Sequence, residues 1–345
     1  MNRRQRRAAL SSAVVASVFL ACGNELNLEL PSSVGYPSDA GYVADLYTAP
    51  PPGLDSSFEV GPPTIFVTGQ RNVTAIALDD DHVYWTTSVA DGRVHACPKS
   101  GCGDAPSITE PRDRPGPIAV FQKRVFWTER ASSDLHWCDY TDGGCVPKTM
   151  DAKRASGGPI ALDDAGVYVL DLESASDFTR CTYDGTCTKI PDVDGGGPTR
   201  VATGGGEVFF TDYATGQVRR FSRATSAISD LVTDPVPGVK SLAVTPSGDA
   251  IFFVNEKAFR VERAARTKLS PQAAEIVLNA KAELIALDDE HVYWTDTDGY
   301  LSMCRMEACT PVVLVAGYQI GALAVDSSGV WFSTLDDDAL RRVSP

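Results

Sequence analysis

The feature that most constrains this chain is one short phrase that returns seven times. An alanine set between bulky aliphatic residues recurs at Ala77, Ala119, Ala161, Ala202, Ala243, Ala286 and Ala324, at intervals of 42, 42, 41, 41, 43 and 38 residues. The flanking residues are Ile, Val or Leu each time, Thr203 being the exception. Large, small, large over three residues has the period of a strand, so the aliphatics share one face and the alanine takes the other. A turn rich in Asp and Gly follows. A β-branched and aromatic run comes next, such as Val83-Tyr84-Trp85 or Val208-Phe209-Phe210, which reads as a second strand. A third short strand (Arg93 to Ala96, Gln217 to Arg220) and a fourth (Glu275 to Leu278) complete the unit. Four antiparallel strands in about 40 residues make the blade of a β-propeller.

The two ends of the repeat complement each other. The seventh unit stops at Arg342-Val343, after its third strand, while a lone fourth-strand sequence, Thr64-Ile65-Phe66-Val67, stands ahead of the first unit. The expected fold class is therefore all-β: a seven-bladed propeller over residues 63–345, closed by pairing of the N-terminal strand into the last blade. Closure leaves only short, protected edges.

Tyr293-Trp294-Thr295-Asp296 spells YWTD, and Val83-Tyr84-Trp85-Thr86 and Val125-Phe126-Trp127-Thr128 are near copies. On these residues the propeller region resembles the YWTD-type propellers of lipoprotein receptors and related bacterial lipoprotein propellers. The resemblance implies a binding and ligand-release module. It also implies six blades, against seven counted from the repeat.

Residues 1–22 carry Arg3, Arg4, Arg6 and Arg7, then an uncharged stretch from Ala8 to Ala21, then Cys22. This is the layout of a bacterial signal peptide, and the stretch is too short to span a bilayer. Phe19-Leu20-Ala21-Cys22 resembles the lipobox of bacterial lipoproteins, which implies lipidation at Cys22 and an envelope location; a plain signal peptide is the competing reading. Residues 23–62 include Pro50-Pro51-Pro52-Gly53 and read as an extended tether.

Lys and Arg total 31 against 45 Asp and Glu, a net charge of −14, which argues against nucleic acid as a partner. Eight cysteines after Cys22 fall into close pairs: Cys97 and Cys102, Cys138 and Cys145, Cys181 and Cys187, Cys304 and Cys309. Each pair flanks the turn from third to fourth strand. Hairpin disulfides fit an exported chain; zinc is the alternative and requires two pairs from different blades to converge.

In a propeller the loops from fourth to first strand and from second to third strand share the face where ligands enter. That places Arg112, Arg114, Lys153, Arg154 and Arg200, together with Asp171, Asp212, Asp296 and Asp298, on the expected ligand face. Asp79-Asp80, Asp163-Asp164 and Asp288-Asp289 lie in the first turns, where Asp caps the turn through its own backbone; a calcium site is the alternative. The four histidines (His82, His95, His136, His291) hold equivalent repeat positions in pairs, which argues against a unique catalytic base. Lactonase-like propellers place metal-binding carboxylates just before the inner strands. The matching positions are Thr74, Gly116, Gly158, Thr199, Lys240, Glu283 and Gly321, with one carboxylate among them. The expectation is a binding scaffold in the bacterial envelope, membrane-anchored through lipid, with a protein or polar ligand as partner and no cofactor, catalytic residue or resident metal. A metal-dependent lactonase or lyase is the alternative.

Overall fold

The computed structural model describes residues 61–344, apart from 104–106, 131, 133, 142–143, 153–156, 171–177, 191–197, 234 and 266–272. The described residues form seven antiparallel sheets, in chain order apart from the closing one. The innermost strands are Val73–Leu78, Pro115–Phe121, Ile160–Asp163, Pro198–Gly204, Val239–Val244, Ala282–Leu287 and Ile320–Asp326, one for each of blades 1 to 7. Each lies beside the innermost strands of both neighbouring blades, and that of blade 7 lies beside that of blade 1, so the ring is closed. The molecule is a seven-bladed β-propeller.

Thr64–Val67 is the outermost strand of blade 7, antiparallel to Ala339–Val343, with Thr64 facing Arg342 and Val67 facing Leu340. The Thr64 hydroxyl adds a bond to the Arg342 carbonyl at 3.2 Å. The first described strand of the chain therefore finishes the last blade.

Register explains the recurring alanine. In all seven blades it faces the first aromatic of the second strand: Ala77 faces Tyr84, Ala119 Phe126, Ala161 Tyr168, Ala202 Phe209, Ala243 Phe252, Ala286 Tyr293 and Ala324 Trp331. Near the axis a large ring fits only where its cross-strand partner is small.

The consecutive bulky residues of each second strand point to opposite faces, and each enters a different interface. Tyr84 packs with Trp127 of blade 2, whereas Trp85 packs with Trp331 of blade 7. The same handover runs through Phe126 with Val169, Tyr168 with Phe210, Phe209 with Phe253, Phe252 with Trp294, and Tyr293 with Phe332. Hydrophobic stabilisation thus lies between blades, and opening the ring exposes the apolar interface at which it parts.

In blades 1, 2 and 7 the hydroxyl at the motif's threonine position ties one blade to the next. Thr86 Oγ1 donates to the Gly116 carbonyl at 2.7 Å, Thr128 Oγ1 to Gly158 at 2.9 Å, and Ser333 Oγ, across the closure, to Val73 at 2.8 Å. All three hydroxyls are buried. On the turn face, the Lys99 ammonium spans the same closure, bonding the Asp79 carbonyl of blade 1 and the Asp326 carboxylate of blade 7.

Among the described residues blade 1 departs from the expected four strands, having a ladder of three. Residues from Ser107 to Arg112 run beside Val94–Pro98 but make only isolated bridges, His95 to Ser107 and Gly92 to Arg112. The Thr109 hydroxyl takes the Val94 N–H at 3.1 Å, where a ladder would use a carbonyl, and Pro111 has no N–H to donate. The four cysteine pairs are disulfides, with Cα separations of 5.3, 5.5, 4.0 and 4.9 Å, each across the turn from third to fourth strand. Cys22 lies outside the described residues.

Candidate functional site

The first turns and the disulfide hairpins occupy one face, the turn face. The chain enters each inner strand on the other, the entry face, which also carries the loops from second to third strand. On the turn face the aspartates are turn caps. Asp288 Oδ1 accepts the N–H groups of Glu290 and His291 at 2.8 and 2.6 Å, and Oδ2 accepts the Tyr293 hydroxyl at 2.6 Å. Asp79 repeats this with Asp81, His82 and Tyr84, while Asp163 and Asp326 cap Ala165 and Ser328. The Tyr of the motif thus anchors the turn that precedes it. Burial opposes ionisation of Asp79 and Asp288, yet the tyrosine hydroxyl and backbone N–H bonds hold both below the usual carboxylate value of 3.8. Burial and the partner carboxylate push the Tyr84 and Tyr293 phenols far up.

On the entry face, the expected ligand residues divide. Asp212 is buried, and its Oδ1 caps the loop by accepting Ala214 and Thr215 N–H at 2.9 and 3.1 Å. Asp296 Oδ1 does the same for Asp298 and Tyr300 at 3.0 and 2.9 Å, and burial raises its pKa. These two build loops. Asp298 is exposed, with Lys281 at 3.9 Å. Arg200 Nη1 donates to the Thr199 carbonyl at 2.8 Å, and Arg114 holds a left-handed backbone with φ 48°. Lys153, Arg154 and Asp171 lie outside the described residues.

Arg112 belongs to a buried polar cluster on blade 2. Its Nε reaches Glu129 Oε1 at 2.5 Å, and the same oxygen accepts Trp127 Nε1–H at 3.0 Å. Arg112 Nη2 lies 3.1 Å from His136 Nδ1, and His136 Nε2 lies 3.1 Å from Ser132 Oγ. A guanidinium carries only donors, so Nδ1 is the acceptor and Nε2 of the neutral ring bears the proton. His136 therefore donates toward Ser132 and does not act as a base on it. Burial lowers the His136 pKa; Glu129 opposes this and the Arg112 charge adds to it. In blade 1 the matching ring, His95, stacks on Trp85 at 5.1 Å, as His136 stacks on Trp127 at 5.8 Å. Glu129 was not singled out from sequence. It stands two residues after Trp127 on one strand, and that spacing puts both side chains on one face.

Of the seven inner-strand entrances, Gly116 and Gly158 give their carbonyls to the threonine ties, and Thr199 Oγ1 shares a 3.1 Å bond with Thr211. Lys240 sits between Glu256 at 3.0 Å and Glu283 at 2.5 Å. Glu256 also accepts the Tyr213 hydroxyl, and despite burial these contacts hold its carboxyl below the ordinary range. The lone entrance carboxylate is thus neutralised by the lysine one repeat earlier. Among the described residues, no three His, Cys, Asp or Glu side chains converge as a metal site.

No family model and no curated protein matches the chain. Solved structures match the fold. Virginiamycin B lyase from Staphylococcus aureus superposes with a TM-score of 0.67 at 15% identity, over 83% of this chain and 100% of that one. A catalytically inactive histidine-to-alanine variant of that lyase with quinupristin gives 0.63 at 15% identity over the same shares. The β-propeller domain of Cps50 (Swd1) from Myceliophteria thermophila gives 0.66 at 12% identity, over 82% of this chain and 100% of that domain. At these identities the likeness is one of fold.

Proposed function

We propose that this chain is a binding scaffold of the bacterial cell envelope, a YWTD-type propeller exported by residues 1–22, lipid-anchored at Cys22, held out on the tether of residues 23–62, and engaging a protein partner through its entry face. One observation carries the reading: among the described residues, the ionisable groups of that face closest to the inner and second strands are spent on architecture. Asp212 and Asp296 cap loops, Arg112 neutralises Glu129, and Lys240 neutralises Glu256 and Glu283. What is left for a partner is shape, exposed apolar side chains and peripheral charge.

The test is capture from envelope extract by the purified protein, compared with Asp298→Lys on the entry face and Glu290→Lys on the turn face. Capture of a discrete partner that falls with the first variant alone supports the reading; capture insensitive to both opposes it. A second reading is the metal-dependent lyase or lactonase expected as the alternative from sequence, supported in that one structure sharing this fold is a lyase. That reading requires bound metal in the purified protein and turnover abolished by Glu283→Gln.

A further inference from the structure

The loops from second to third strand share a backbone requirement that one of them meets with an unexpected residue. A left-handed residue stands within two positions of the third strand in blades 4, 6 and 7: Gly216 (φ 79°) and Gly299 (φ 88°) two before it, and Asp338 (φ 52°) immediately before it. These are the residue types that adopt this conformation at low cost. Blade 5 places Phe259 there, at φ 53°. A bulky residue in this region is a conformational outlier, and such outliers persist where function retains them. Packing does not account for Phe259, because it is 55% exposed. Its N–H donates to Glu256 at 3.3 Å and its carbonyl accepts Ala280 N–H at 2.9 Å, bonds that any residue can make.

Phe259 also has company. Among the described residues six large hydrophobics are exposed, and Val236, Phe259 and Tyr300 belong to the entry-face loops of blades 5 and 6. The Asn255 side chain joins Val236 to the Phe259 turn: its Nδ2 donates to the Val236 carbonyl at 2.8 Å and its Oδ1 accepts the Ala258 N–H at 3.0 Å, next to Phe259. Phe259 holds Ala280, whose neighbour Lys281 lies 3.9 Å from Asp298, two residues before Tyr300. Two exposed ammonium groups stand on the segments joined at Phe259. Lys257, two residues before it, lies over the Tyr213 ring at 5.1 Å, and Lys281 is 59% exposed. Of the nearby carboxylates, Glu256 and Glu283 are held by Lys240, while the exposed Asp298 lies beside Lys281 itself.

Resting on the binding reading above and giving it a location, we propose that Phe259, together with Val236 and Tyr300 on the entry-face loops of blades 5 and 6, is the anchor of a docking surface for a polypeptide segment that presents an apolar side chain flanked by Asp or Glu. Aromatic anchors inside a polar rim carry most of the energy of such contacts. The apolar partner residue covers the ring, and its acidic neighbours meet Lys257 and Lys281. Charges of the remaining acidic surface are screened beyond about 8 Å at physiological salt.

The experiment pans a displayed random-peptide library against the full chain, then measures selected peptides against Phe259→Gly, Lys257→Glu/Lys281→Glu and the turn-face control Glu290→Lys. Enriched peptides should combine an aliphatic or aromatic residue with an adjacent carboxylate. Their affinity should fall at least tenfold for the first two variants and hold for the control, while Phe259→Gly melts at or above the wild-type temperature because glycine suits the left-handed turn. A melting temperature lowered by Phe259→Gly would make the ring a packing residue and overturn the proposal. Failure to enrich such peptides, or binding of glycans in their place that is lost with Phe259→Gly, overturns the polypeptide assignment. Peptides that bind wild type and Phe259→Gly equally overturn the anchor alone and leave the scaffold reading standing.

Discussion

The threonine ties make a prediction that separates the inter-blade bond from mere packing. Thr128 is fully buried, and its hydroxyl donates to the Gly158 carbonyl of the next blade at 2.9 Å. Thr128→Val replaces that hydroxyl with a methyl of nearly the same size, so no cavity opens and the loss isolates the hydrogen bond. A buried carbonyl deprived of its donor costs about 1 to 2 kcal/mol, toward the lower part of the range for unsatisfied groups because the methyl gains burial. In a domain of this size that is a melting shift of a few degrees. The assay is urea unfolding at fixed pH, reading the midpoint with the slope unchanged. Thr128→Ser is the control: it keeps the donor, loses one methyl and costs about 1 kcal/mol. Should the valine variant prove as stable as wild type while the serine variant does not, packing alone joins the blades and the ties are incidental.

Other outcomes follow from the same geometry. Arg112→Ala strands the Glu129 carboxylate, which is 6% exposed, and destabilises the fold by about 2 to 3 kcal/mol, less than a wholly buried pair because the Arg112 side chain is 24% exposed; adding Glu129→Gln recovers part of the loss, read by the same urea midpoint. Asp79, Asp288 and Asp326 have folded-state pKa values below the ordinary 3.8, so the stability they confer is present above that value and lost as pH falls through their lower folded values; Asp288→Asn therefore flattens the acid limb of a melting-temperature profile, and an unchanged limb contradicts the capping role. Each hairpin disulfide closes only a short loop, with sequence separations of 5 to 7 residues, and contributes about 2 kcal/mol. Reduction should lower the melting temperature without abolishing the fold, and free thiols at these positions in unreduced protein would contradict the pairing.

Much of the architecture was legible because a repeat multiplies weak evidence. One Ala between aliphatics says little, but seven at a fixed spacing define an inner strand, and the unmatched Thr64–Val67 signals its place in blade 7. Capping by Asp79 and Asp288 was also readable, since an aspartate two or three residues ahead of free N–H groups meets them locally. The reason for the alanine, its register opposite a ring, was hidden because sequence shows the order of strands and not which residues face each other. The incomplete fourth strand of blade 1 was hidden too, since a threonine hydroxyl replacing a carbonyl leaves no periodic trace.

The candidate site was less legible for a related reason. Charge and loop position placed Asp212 and Asp296 on the entry face, but whether a loop carboxylate turns outward or caps its own backbone is decided by two or three torsions that composition does not encode. Phe259 escaped notice because an exposed aromatic in a loop is ordinary in a sequence; only its left-handed backbone, in a loop type where blades 4 and 6 use Gly216 and Gly299 for that conformation, sets it apart.

Every assignment of a loop to one face or the other rests on the ring being closed by its first strand. Thr64 faces Arg342 across that closure, and facing residues of an antiparallel pair lie about 4.5 to 5.5 Å apart, within reach of a disulfide. In the double variant Thr64→Cys/Arg342→Cys, the account predicts spontaneous oxidation, a linked peptide joining positions 64 and 342 on mass analysis, and a higher unfolding midpoint that returns to the unlinked value on selective reduction. Introduced thiols that stay free in folded protein, or bond to cysteines of other blades, would contradict the closed ring.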